Sequence, residues 1–106
     1  MVITSQFVDN ASKMEQYKMA SGRSAVKVAD HVGEILDVKA IMFGEDNGRD
    51  VVAMLTEDGE VLASISNSLI SDVSAIIAAF GCPVKIKICS GKSKRGRDFI
   101  YAEPAE

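Results

Sequence analysis

The chain has 106 residues, 47% hydrophobic and 25% charged, a balance ordinary for one globular domain around a single core. Two cysteines and one histidine are too few ligands for a structural zinc site, and those thiols are expected to be reduced and buried. No apolar run approaches the roughly 18 to 20 residues that span a bilayer, and MVITSQFVDN lacks the basic and apolar regions of a signal peptide, so a cytoplasmic protein without a membrane partner is expected.

Residues 1–25 have weak periodicity. Ala11, Met14 and Tyr17 can share a short helical face behind Asn10 as cap, and SGRS then breaks the pattern. This reads as an arm or short helix ahead of a domain at residues 26–106. Residues 26–36, VKVADHVGEIL, form a lead-in whose Val and Ile side chains dock on the core. Residues 35–43, ILDVKAIMF, alternate imperfectly but are rich in strand formers, and the acidic turn GEDNG leads to a second strand, RDVVAMLT. Asp58-Gly59 predicts a tight hairpin with positive φ at both positions, followed by a third strand, EVLASIS.

The period then changes. Leu69, Ile70, Val73, Ile76, Ile77 and Phe80 recur at the three-and-four spacing of one helical face, which places Phe80 in the core. Ser68 or Ser71 is the expected N-cap, Asp72 lies near the positive end of the helix dipole, and Gly81 with Pro83 ends the helix. Residues 84–90, VKIKICS, send Val84, Ile86 and Ile88 one way and Lys85, Lys87 and Cys89 the other. After GKSKRG comes a last strand, RDFIYAE, with Arg97, Phe99 and Tyr101 on one face and Ile100 on the other.

Three strands, a helix and two strands satisfy a five-stranded, partly open barrel capped by one helix, the OB-fold, which solves the problem of exposed sheet edges. A split α/β sandwich would need a second core helix, for which only the N-terminal segment is available.

Charge is distributed unevenly over this plan. Residues 85–97, KIKICSGKSKRGR, hold six of the twelve basic residues and no carboxylate, while the other six face all fifteen acidic ones. Single-stranded nucleic acid is held by cations that neutralise phosphates and by flat rings on which bases stack, at about 1–3 kcal/mol per base. Lys85 and Lys87 on the fourth strand, Lys92, Lys94 and Arg95 on the loop, and Arg97, Phe99 and Tyr101 on the fifth are the residue types required. Arg adds a planar group that bonds phosphate bidentately or stacks. Phe43 and Arg49 are additional candidates. The plainer alternative is a solvated basic face, with Phe99 and Tyr101 given to the core.

Three passages carry a resemblance: FGEDNGRDVVAML, SISNSLISDVSAII and CPVKIKICSGKSKRGRDFIYAE. They resemble the small OB-fold single-stranded DNA-binding proteins of phages that infect Gram-positive bacteria, whose last hairpin often has a basic Lys-Ser-Lys-x-Gly-Arg turn before an aromatic strand. Lys92, Ser93, Lys94, Gly96, Arg97, Phe99 and Tyr101 take that form here, and with SAVKVADHVGEIL the likeness covers residues 24–103. It implies protection of single-stranded DNA during phage replication or recombination, without catalysis or cofactor, by dimers or larger homo-oligomers that meet other replication or recombination proteins. AEPAE is too short to act as the acidic recruiting tail of many bacterial relatives.

An enzyme is not expected. His31 is the only imidazole, GEDNGRD lacks the ligand spacing and terminal glutamate of an EF-hand, and GKSKRG lacks the first glycine of a P-loop. The alternative from another class is an interaction module, gripping an acidic partner with the basic hairpin or mimicking DNA with the acidic turns at residues 45–50 and 57–60.

Overall fold

The computed structural model describes residues 1–22 and 25–105. Among these the chain is mainly β, with seven strands and two α-helices: β1 (Val2–Phe7), α1 (Lys13–Ser21), β2 (Val26–Lys27), β3 (Ile35–Asp46), β4 (Arg49–Thr56), β5 (Val61–Ser64), α2 (Asn67–Phe80), β6 (Val84–Lys92) and β7 (Asp98–Pro104). A single 3₁₀ turn, Val28–His31, follows β2. The strands form one curled sheet in the order β2-β5-β4-β3-β6-β7. β1 pairs with residues 41–45 of β3 and β6 with residues 35–38, so the long strand serves two neighbours on one edge.

The imperfect alternation of β3 has a physical cause. Val38 and Ile41 belong to an inner core beneath α2, whereas Ala40 and Met42 belong to a second cluster on the outer face. An irregularity in the pairing with β4 between Val38 and Ala40 inserts the extra residue, Lys39, and reverses the faces. Beside it β4 alternates strictly, Val52 and Met54 inward, Ala53 and Leu55 outward. Both faces are covered, so VVAML reads as an unbroken apolar run.

The outer cover is α1. Ser12 rather than Asn10 caps it: the Ser12 hydroxyl accepts from the Glu15 N–H, and the Glu15 carboxylate accepts from the Ser12 N–H. Met14 and Tyr17, expected on its packed face, are exposed; Met19 is the side chain it buries, against Ala53 and Leu55. The helix ends at Gly22, in the left-handed conformation, and Arg23 and Ser24 of the expected SGRS break lie outside the described residues. β1 is a strand the periodicity did not reveal, because all six of its residues are exposed and no apolar stripe marks it. In the lead-in Val28 docks on the core, but Val32 and Ile35 are exposed.

Two turns differ from expectation. β3 continues through Asp46, leaving Asn47-Gly48 as the two-residue turn, with φ of 53° and 78°. At the next hairpin only Gly59 has positive φ; the Gly59 N–H donates to Thr56 O and the Thr56 N–H to Glu60 O. This is a longer turn closed by a glycine bulge, not a two-residue primed one.

Helix α2 follows its sequence pattern closely, burying Leu69, Val73, Ile76 and Ile77. Ser66 is its N-cap, accepting from the Leu69 N–H, instead of Ser68 or Ser71. Phe80 is a clear correction: it is 66% exposed, because the helix's last residue lies beyond the sheet its stripe covers. Neither cysteine is fully buried; both are free and half-exposed, and burial pushes the Cys82 thiol above its usual 9.0.

Instead of pairing with β5, strand β7 is held by α2. The Ser68 hydroxyl donates to Ile100 O at 2.7 Å, and the Ala102 N–H donates to the Asp72 carboxylate at 3.2 Å. Side chains thus satisfy backbone groups that a closed barrel would pair with another strand.

Candidate nucleic-acid interface

β6 and β7 form a regular hairpin running from Ile86 opposite Pro104 to Lys92 opposite Asp98. Directly opposed residues share a face. Ile86, Ile88, Ile100 and Ala102 therefore face α2, while Lys87, Cys89, Gly91, Phe99, Tyr101 and Glu103 form the outer face, which α1 leaves uncovered.

The tip is an ordered turn. The Ser93 N–H donates to Arg97 O at 2.8 Å, the Gly96 N–H to Ser93 O at 2.9 Å, and the Arg97 N–H to the Ser93 hydroxyl at 3.2 Å. Gly96 has the positive φ, 80°, that closes the loop. Lys94, Arg95 and Arg97 are thereby displayed from a fixed base, all exposed. Among the described residues, Lys87, Lys92, Lys94, Arg95 and Arg97 make no ion pair.

Behind the turn stand the rings. Phe99 and Tyr101 have centroids 5.8 Å apart and planes tilted by 38°. Phe99 is 39% exposed and Tyr101 half-buried, and neither belongs to the two buried clusters. The Cys89 sulfur opposite it, then burial, then the Glu103 carboxylate hold the Tyr101 hydroxyl above its usual 10.0. The phenol stays neutral at physiological pH and brings no negative charge toward a phosphate.

The expected residues do not all gather here. Lys85 shares the outer face, but its ammonium lies 3.9 Å from Asp37, and Lys87 is directly opposite Glu103, so positive charge weakens away from the tip. Lys92 is opposite Asp98, on the other side of the hairpin from the rings. Phe43 is half-buried on the inner side, where it lines a cavity of about 370 Å³ with Phe7, Ile70 and Ile77. Arg49 pairs with Asp46 at the far end of β3, away from the segment that meets β6. The two acidic turns are separated by the length of β4, eight residues or about 25 Å, and form no single patch.

His31 lies between two carboxylates, Nδ1 3.0 Å from Glu34 and Nε2 3.4 Å from Glu60. The ring thus sits between the 3₁₀ turn and the β4–β5 connection, although its Nδ1 has no partner in hydrogen-bond geometry among the described residues.

An ordered cationic turn beside a partly exposed ring pair is the kind of arrangement that single strands require. The sequence model of the Phage Single-stranded DNA-binding protein family matches residues 2–103. The chain belongs to that family. Neither a search of curated proteins nor one of solved structures finds a match. The match to this phage single-stranded DNA-binding family starts within β1 and includes α1, so it covers the N-terminal segment as well as the basic hairpin. Among the described residues no helix is long and apolar enough to cross a membrane.

Sequence reasoning missed Gly91 and Cys89 beneath the rings, and Ser68 and Asp72 holding the ringed strand. A glycine inside an alternating run is itself a signal of close approach by another group. The reach of Asp72 to β7 had no local signal, being a contact between residues thirty positions apart.

Proposed function

We propose that the chain binds single-stranded DNA without reading its sequence, along the outer face of the β6–β7 hairpin, and protects strands exposed in phage replication or recombination. The observation that carries this reading is the Phe99–Tyr101 pair, partly solvent-facing and beside a turn whose Lys94, Arg95 and Arg97 make no ion pair among the described residues. Lys87, Lys94, Arg95 and Arg97 neutralise phosphates, with Lys85 and Lys92 at the margins. The rings receive two successive bases, since 5.8 Å is within the spacing of an extended strand. Phe43 and Arg49 belong at most to an extension of this track.

The curled sheet with α2 beneath it reads as a partly open OB barrel over residues 26–106, and residues 1–25 add a strand and an outer helix. The function is binding, without a catalytic step or cofactor, in the host cytoplasm. Copies assembled side by side, as dimers or larger homo-oligomers, would cover a long strand and meet other replication or recombination proteins.

Fluorescence anisotropy with labelled oligo-dT and a duplex of equal length tests the reading. Tight binding to oligo-dT, weaker binding to duplex and a steep loss with salt are expected. Absence of binding to either would overturn it in favour of an interaction module for an acidic protein partner.

A further inference from the structure

Gly91 sits in the middle of β6, directly opposite Phe99. A glycine inside a strand ordinarily answers one of three needs: a left-handed φ, a bulge, or an approaching backbone. None holds here. Gly91 is absent from the positive-φ positions, and the pairing of β6 with β7 runs from Ile86 to Lys92 without a shift. By contrast, buried Gly44 lies against the carbonyl of Val2 in β1. What occupies the space over Gly91 is aromatic: a methyl group on its α-carbon would stand 3.0 Å from Cζ and 3.3 Å from Cε1 of Phe99, and 3.5 Å from Cε1 of Tyr101.

We infer that Gly91 is a positioning residue for DNA binding: by carrying no side chain it lets the Phe99 ring settle across β6, one face on the strand and the other open to a base. The inference rests on the proposed role of this hairpin in binding single-stranded DNA. A side chain at position 91 pushes from beneath at the ring's far edge, lifting Phe99 away from the strand and disturbing its angle to Tyr101. Stacking depends on that angle, whereas phosphate neutralisation by the turn does not. The glycine thus trades strand propensity for a level platform.

The test measures oligo-dT affinity, its salt dependence and thermal unfolding for the native chain and for Gly91→Ala, Gly91→Val and Phe99→Ala. Both variants at 91 are expected to fold with midpoints at or above the native one, since alanine and valine suit a strand better than glycine. Removing the ring in Phe99→Ala is expected to weaken binding about 5- to 150-fold, the range for one stacked base. Gly91→Ala should weaken it about three- to tenfold and Gly91→Val more, approaching Phe99→Ala, as the platform is progressively tilted. The slope of affinity against salt should stay unchanged in the variants at 91, because no phosphate contact is lost.

Native-like affinity in Gly91→Val, with Phe99→Ala impaired, overturns the inference and leaves the binding surface standing. So does a loss that follows a fall in unfolding midpoint, or one accompanied by a shallower salt slope. If the native chain does not bind oligo-dT, the reading beneath falls, and the inference with it.

Discussion

Asp58 shows how one carboxylate can fix a connection. It accepts a hydrogen bond from the Thr56 hydroxyl and, with a backbone N–H of the same turn, is held below its usual 3.8. A group whose folded-state value is depressed stabilises fully above its unfolded value and loses that contribution as pH falls through the folded one. Asp58→Asn should therefore lower the unfolding midpoint at neutral pH, and the gap to the native chain should narrow as pH falls below 3.8 and through the depressed folded-state value. A gap independent of pH would show that geometry rather than charge is at work. At this scale the sequence was a mixed guide. Lys87, Phe99 and Tyr101 fell on one face as alternation dictates, because a regular hairpin preserves the period of two. Phe80 did not join the core, because helical periodicity reports direction around the axis and says nothing about where the underlying sheet stops.

Helix α2 is the element on which the proposed binding surface depends, although none of its residues lies on that surface. Its apolar stripe, Leu69, Val73, Ile76 and Ile77, seats it, and Ser68 and Asp72 then hold the edge of β7. Asp72→Ala leaves the buried Ala102 N–H without an acceptor, which should cost about 1–3 kcal/mol in chemical denaturation. Asp72→Asn, which keeps an acceptor oxygen, should cost less. Equal losses in both would assign the effect to charge rather than to the bond. The stripe made α2 legible, and the hydrophobic alternation did the same for β6. Strand β1 was illegible because VITSQF lies exposed on β3, recruited mainly by backbone pairing, with the Thr4 hydroxyl donating to Phe43 O. The extent of α1 was obscured similarly, since its burial rests mainly on Met19.

Across the whole molecule, charge is segregated rather than balanced, with a net of −3 concealing a cationic hairpin. On the proposed reading the acidic remainder limits adhesion elsewhere, while the local field at the turn would attract phosphates. Each phosphate contact contributes about −0.7 to the slope of log affinity against log salt for single strands, so Arg97→Ala should make that slope shallower by about this amount. Lys85→Ala should alter it less, because Asp37 already offsets Lys85. Equal changes in the two titrations would refute the picture of a field concentrated at the tip. This asymmetry was visible in the amino-acid order alone; the pairing of Lys85 with Asp37 and the placing of Glu103 opposite Lys87 were not, since they arise from strand pairing.

With α1 covering Ala40, Met42, Ala53 and Leu55 on the outside of β3 and β4, the rings of the β6–β7 hairpin lie on a two-stranded ribbon beside the covered part. β7 is seven residues long, about 23 Å, and on the proposed track a stretched strand would cross it in about four nucleotides, the short end of the span known for OB-folds. Under the proposed function, covering a long single strand at so small an interval demands many copies, so supply of the protein as well as affinity would set how much of the strand is sheltered.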